Sequence, residues 1–262
     1  MSKVDYIALE VSGLDKQLGK RNTGQPAAAL DCGGFSVQHR EIFGVLGSSG
    51  SGKAALVHSL ADRLVADSGR VTVSGHNVLR DGTAVKRLIN RVLADTVLFR
   101  RLTPVQVLVY GARLYGLGEQ AARDCAREVL KTMGLDDAAI LRPLKELASG
   151  VRQKVIDACA SLTQPALLLL NEPTWGLPAR NKQEAQSLME ELRDVYNATI
   201  LLTTCDVREA DALCDRVAII DGGQIVALDT PAGLKSLVPR ANGHVPTLED
   251  VFIKLTGEQL VQ

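Results

Sequence analysis

The 262-residue sequence predicts an α/β fold on a mostly parallel sheet, and three observations carry that expectation. Short β-rich apolar runs alternate with helical patterns along the chain. Ala166–Leu170 is a continuous apolar run ending in Asn-Glu-Pro, the pattern of a parallel strand buried on both faces. Glu41–Leu46 runs into the glycine-rich segment GSSGSGKA, and a helical pattern over Lys53–Leu64 follows it. That strand–loop–helix order is the context in which a glycine loop cradles phosphate.

The remaining elements follow in order. Val71–Val73 reads as a short strand, and from about Pro104 to Leu162 the pattern turns helical, with Glu119–Met133 rich in Ala, Arg and Glu. A helix around Asn181–Tyr196, a strand at Thr199–Thr203 and a helix at Val207–Leu213 extend the βα series. Val217–Ile220 and Ile225–Leu228 flank Asp-Gly-Gly and read as a hairpin. Thr247, with Asp250 three residues on, predicts a capping box for a last helix over Thr247–Thr256. Gly19–Pro26 reads as a polar loop.

Composition narrows the function classes. Lys+Arg and Asp+Glu both number 30, so no net field attracts nucleic acid or anionic lipid. Aromatics are 3% of the chain, too few for a base-stacking surface. The five cysteines (Cys32, Cys125, Cys159, Cys205, Cys214) are odd in number and scattered, which predicts reduced thiols rather than a disulfide framework. The N-terminal MSKVDYIALE lacks the apolar core of a signal peptide. No run reaches the roughly 20 apolar residues of a membrane helix, so work at a membrane would need another chain to span it.

The glycine loop carries the chemistry. Gly47 and Gly52 let backbone N–H groups turn inward, and Lys53 can reach the β- and γ-phosphates. Ser48, Ser49, Gly50 and Ser51 complete the cradle. The next position needs a hydroxyl for Mg²⁺ and holds Ala54, whose methyl cannot ligate a metal.

Leu147–Lys154 (LASGVRQK) and Ala166–Glu172 (ALLLLNE) follow in turn, then the segment 203–231 and the ending PTLEDVFIKLTG. In order and spacing these blocks resemble the ATP-binding subunits of ABC transporters over essentially the whole chain. The ending is similar to the drug- and polysaccharide-exporting branch, such as the daunorubicin-resistance type. The resemblance implies a P-loop NTPase (RecA-like) core, an N-terminal antiparallel β subdomain and an inserted α-helical subdomain. It implies a single nucleotide-binding domain over 1–262, with the helical subdomain at about 96–163 and a C-terminal helical tail at about 244–262. ATP as ligand, a second nucleotide-binding subunit, a transmembrane permease and a place on the cytoplasmic face of the membrane are implied with it.

Set against that pattern, the chain departs at most catalytic positions. Leu18 stands where an aromatic stacks on adenine, and Ala94 where a glutamine contacts Mg²⁺ and the attacking water. Ala148 replaces the signature serine and Ser149 the following glycine, while Gly150, Arg152 and Gln153 remain. Asn171 replaces the aspartate that holds Mg²⁺, Pro178 falls on the D-loop aspartate, and Cys205 on the switch histidine. Of the catalytic set only Lys53 and Glu172 stay. Hydrolysis at this site is therefore expected to be very slow or absent, and Mg²⁺ binding weak or absent, because phosphoryl transfer rests on positioned charge. ATP binding is a separate matter, since an N–H cradle at a helix start accepts a triphosphate without metal.

Two readings stay open on the sequence. The chain is either a degenerate subunit paired with an active homologue, or a non-catalytic scaffold in which nucleotide is optional. Residue by residue, Lys53 is a phosphate ligand or a helix-start cation, and Glu172 a vestigial base or a solvated strand end with Asn171 as a cap. Cys205 reads as a small buried thiol rather than a nucleophile. His39, His58, His76 and His244 form no ligand spacing. Leu98, Phe99 and Val105–Val109 are either core of the helical part or the lining of a groove for a permease.

Overall fold

The computed structural model describes residues 7–16, 30–60, 67–90, 102–114, 119–148, 151, 155, 167–176, 179–194, 197–239 and 245–260. Eleven strands form one sheet in the order β6–β5–β1–β2–β11–β10–β4–β9–β8–β7, with β3 also on β1. The strands are β1 Ile7–Lys16, β2 Leu30–Asp31, β3 Gly34–Gln38, β4 Ile42–Leu46, β5 Ser68–Val73, β6 His76–Asn77, β7 Ile89–Asn90, β8 Leu167–Asn171, β9 Ile200–Thr204, β10 Arg216–Asp221 and β11 Gln224–Asp229. The helices are α1 Lys53–Leu60, α2 Gly82–Leu88, α3 Pro104–Leu114, α4 Glu119–Thr132, α5 Asp137–Leu141, α6 Ala179–Asp194, α7 Val207–Leu213, α8 Pro231–Lys235 and α9 Leu248–Thr256.

The stretch β10–β4–β9–β8–β7 is parallel throughout. Around β1 the pairing with β2, β3 and β5 is antiparallel. The mostly parallel sheet of the sequence reading is thus one half of the observed sheet. The antiparallel strands join it through a single bridge of β2 to β11, Asp31 to Gln224.

Period-two alternation sorts the parallel strands onto two faces. Phe43, Val45, Leu169 and Leu201 pack with Leu56, Val57 and Leu60 of α1 on one side. Ile42, Leu46, Leu168, Leu170, Ile200 and Leu202 pack with Val207, Ala210 and Leu213 of α7 and Leu248, Val251 and Phe252 of α9 on the other. Both faces are covered, which is why β4, β8 and β9 read as unbroken apolar runs. The register sets Leu46 of β4 beside Thr204 of β9 and Asn171 of β8 beside Thr203, so the residues just past these strand ends form one rim. The capping box of α9 is present: Thr247 accepts from the Asp250 N–H, and Asp250 accepts from the Thr247 N–H.

The helices α3 to α5 build a third apolar cluster, with Val105, Val107, Leu108, Ala126, Leu130, Ile140 and Leu144. Of the two readings of Val105–Val109, the structure puts Val105, Val107 and Leu108 in that core. Leu98, Phe99 and the polar loop Gly19–Pro26 lie outside the described residues.

Candidate functional site

The rim begins with the turn from β4 into α1. Gly47 N–H donates to the Thr204 carbonyl at 3.3 Å, and Ser51 N–H closes on the Ser48 carbonyl at 3.2 Å. The loop is seated on the β10–β11 hairpin, whose Gly223 N–H donates to the Ser51 carbonyl at 2.8 Å. A Cβ at position 47 would lie 2.5 Å from Ser51 Oγ and 2.6 Å from the Ile220 carbonyl oxygen, so only glycine fits. Gly52 has φ +104, a conformation side chains avoid. The Ser51 hydroxyl is buried without a hydrogen-bond partner among the described residues. Ser49, Gly50 and Ala54 are exposed.

Lys53 opens α1, yet it is only 6% exposed. Its ammonium donates to the Gly47 carbonyl at 2.5 Å and the Ser48 carbonyl at 2.8 Å, and stands 3.3 Å from Glu172 Oε1. An ammonium has three N–H donors, and these three acceptors match them.

Opposite the loop, β8 and β9 deliver the other half. Asn171 Oδ1 accepts from the Thr203 hydroxyl at 2.8 Å. Glu172 N–H donates to both the carbonyl and the hydroxyl of Thr203, at 3.0 and 3.1 Å. Glu172 is held at φ 50, a left-handed conformation unfavourable for a residue with a Cβ by about 1–2 kcal/mol. Its Oε2 accepts from the Cys205 N–H at 3.1 Å. The Cys205 side chain is buried, and its thiol is pushed up to about 11, first by burial and then by the Glu172 charge, against the pull of Lys53. A thiol in that state is no nucleophile near neutral pH.

The structure thus brings Lys53, Asn171, Glu172 and Cys205 together. Ala148 is exposed beyond the 3-10 turn Leu144–Glu146, in the helical region rather than at the strand ends. Leu18, Ala94, Ser149, Gly150, Arg152, Gln153 and Pro178 lie outside the described residues.

Sequence reasoning missed three participants. Thr203 is fully buried and ties Asn171 to Glu172; a hydroxyl at the end of an apolar strand was the available signal. Glu209, on α7, is 1% exposed, with neither carboxylate oxygen in hydrogen-bond geometry. Burial raises its carboxyl, with the Asp206 and Glu172 charges adding; the hydroxyls of Thr204 and Thr174 oppose this from beside it without reaching bonding geometry. Asp206, the cap of α7, pairs with Lys182 at 2.8 Å. Burial works to raise the Asp206 carboxyl, and the Lys182 bond and charge with the Arg208 and Glu209 N–H groups outweigh it.

Residues 31–175 match the ABC transporter family. The chain belongs to it. The chain is 34% identical over 229 residues to the daunorubicin resistance ATP-binding protein DrrA3 of Streptomyces coeruleorubidus, covering 87% of this chain and 70% of that protein. It is 35% identical over 231 residues to the doxorubicin resistance ATP-binding protein DrrA of Mycobacterium tuberculosis, covering 88% and 68%. The solved structure of an ATP-binding subunit of an ABC transporter superimposes with a TM-score of 0.69 at 23% identity, covering 95% of this chain and 99% of that one. The component cbiO1 of an ABC transporter complex from Clostridium perfringens gives 0.67 at 24%, covering 88% and 91%. These structural matches establish the ABC cassette fold, a P-loop NTPase core.

For ABC cassettes the phosphate-loop hydroxyl and the aspartate ending β8 are the expected oxygen donors to Mg²⁺. Here position 54 offers a methyl, Asn171 Oδ1 accepts the Thr203 proton, and both Glu172 oxygens are engaged. Among the described residues no group of three His, Cys, Asp or Glu side chains is placed to hold a metal ion. The two expected donors are thus replaced by a methyl and by an amide whose carbonyl is bonded to Thr203. Likewise, among the described residues no helix is long and apolar enough to cross a membrane.

Proposed function

We propose that this chain is the ATP-binding subunit of a drug-exporting ABC transporter with little or no hydrolysis at its own site. It pairs with a catalytically competent homologous subunit and docks a separate transmembrane permease at the cytoplasmic face of the membrane. The names of its relatives support the export branch. The observation that carries the reading is the closed pairing of Lys53 with Glu172, in a rim whose other positions are Ala54, Asn171 and Cys205. Lys53 and the loop Gly47–Ala54 bind the triphosphate, with Glu172 a vestigial base. Ala148, Ser149 and Gly150 form a weakened signature facing the partner's nucleotide. The separate apolar cluster of α3 to α5 supports a helical subdomain at about 96–163, and the capped α9 a helical tail at about 244–262, within one domain over 1–262.

Losing a single preorganised donor costs about 10²–10³ in rate, and Ala54, Asn171 and Cys205 remove three side-chain functions at once. A second reading is a nucleotide-optional scaffold, favoured by one fact: the Lys53 donors are satisfied by the protein itself. ATPase turnover of the co-purifying homologous subunit, measured with and without this chain, separates the two. The paired model expects faster turnover in the complex and buffer-level hydrolysis by this chain alone. Equal turnover of the partner without it leaves the scaffold. Turnover of this chain alone at about 1 s⁻¹ or more, an ordinary enzyme rate, overturns the low-hydrolysis reading.

A further inference from the structure

We infer that the site takes a triphosphate free of divalent cation, and that the Thr203 hydroxyl sets this preference by orienting the Asn171 amide. The inference rests on the loop being a nucleotide site, as proposed above, and names the form of ligand it prefers.

A hydroxyl has one proton to give. At Thr203 the Glu172 N–H, 3.1 Å away, donates to Oγ1, and the hydroxyl proton goes to Asn171 Oδ1 at 2.8 Å. Thr203 is 0% exposed, so no water stands in if that acceptor is withdrawn. Turning the amide over would offer the hydroxyl a second donor and orphan its buried proton, which is disfavoured. One lone pair of the Asn171 carbonyl is thereby taken inside the protein, and the amide is held with its NH₂ on the side away from Thr203.

That NH₂ is a donor and cannot ligate a cation. The other groups on the rim agree with it. Glu172 Oε1 faces Lys53, Glu172 Oε2 accepts from Cys205 N–H, and Ala54 has no oxygen in its side chain. The groups left to a ligand are the loop N–H groups, the Lys53 ammonium once it is released, the Asn171 NH₂ and the Ser51 hydroxyl, which can donate as well as accept. A rim so rich in donors complements bare phosphate oxygens. A magnesium-bound triphosphate would instead set a cation against donors.

Equilibrium ATP binding, with millimolar Mg²⁺ and with a chelator, tests this on the whole chain and on Thr203→Val, Thr203→Ser and Asn171→Asp. The wild type binds ATP at least as tightly in chelator as in Mg²⁺. Asn171→Asp, with a second oxygen free, shifts the preference toward Mg²⁺ by about tenfold, the scale of one charge-assisted contact. Thr203→Val shifts it severalfold the same way, because the amide is free to turn; Thr203→Ser keeps the hydroxyl and the wild-type ratio. Asn171→Asp carries the test if Thr203→Val fails to fold. Tighter wild-type binding with Mg²⁺ overturns this inference and leaves the nucleotide reading standing. A Thr203→Ser ratio that follows Thr203→Val overturns the role of Thr203. No binding of ATP by any of the four chains, in either buffer, overturns both the inference and the nucleotide reading.

Discussion

The phosphate loop and the ends of β8 and β9 face each other across Lys53, and they are specified in different ways. The loop is shaped by backbone: glycines where a Cβ would collide, and N–H to carbonyl bonds from Gly47, Ser51 and Gly223. The strand ends are shaped by side chains: Asn171, Thr203, Glu172 and Cys205 hold one another. Backbone geometry survives side-chain replacement, whereas metal and proton chemistry does not. A chain can therefore keep a complete cradle beside a chemically altered rim at small cost in stability.

Substitutions can break this contrast. The largest effect belongs to the apolar body of β8 rather than its polar end. Leu169→Ala, at a position 1% exposed, should cost about 2–5 kcal/mol in urea unfolding. Asn171→Ala, on the rim itself, leaves the buried Thr203 hydroxyl without its acceptor and should cost about 1–3 kcal/mol. Comparable losses for the two would show that the rim is structural. Next comes Gly47→Ala, whose methyl meets the Ile220 carbonyl oxygen at 2.6 Å; overpacking there should cost about 1–3 kcal/mol. An unchanged unfolding midpoint would mean the loop relaxes freely and the cradle is not backbone-determined.

Glu172→Gln is smaller and sharper. Lys53 has a side-chain exposure of 7% against 25% for Glu172, so the pair is only partly screened. Removing the carboxylate leaves the ammonium near two carbonyls, while the left-handed φ of 50 is kept. We expect a loss of about 1–2 kcal/mol, below the cost of breaking a fully buried pair, and coupling to Lys53→Met in a double-mutant cycle. Additive effects would sever the two halves of the rim.

The smallest effect is read in pH. Burial holds the Glu209 carboxyl above its ordinary range, so the folded chain keeps that proton more firmly than the unfolded one. The group costs nothing below about pH 4.3 and destabilises as pH rises through its raised value. Glu209→Gln should leave the melting temperature unchanged at pH 4 and raise it at pH 8, by roughly 2–4 °C for each kcal/mol relieved. A larger gain at pH 4 than at pH 8 would reverse the assignment.

Much of the parallel half was legible because its strands are buried on two faces and its hairpin turns on Asp221-Gly222-Gly223. The capping box of α9 was legible because caps are local. The antiparallel half was legible only through the family resemblance, because β1 breaks its own alternation, with register shifts against both β3 and β5. The helix α2 spans seven residues and β7 two, too short for any period to show. At the rim, residue types could be read from spacing, and Ala54, Asn171 and Cys205 were. The engagement of Lys53 by the loop carbonyls and the double role of Thr203 depend on distances across the sheet, between residues far apart in sequence.

The phosphate loop is encoded by residues 47–54, but its Ser51 carbonyl accepts from the Gly223 N–H, and its Gly47 N–H donates to the Thr204 carbonyl. A ribosome adding roughly 5–20 residues per second needs on the order of ten seconds or more to travel from one to the other. For that interval the nascent chain carries a loop with its glycines in place and its supports not yet translated. The loop is written well before the residues that hold it in place.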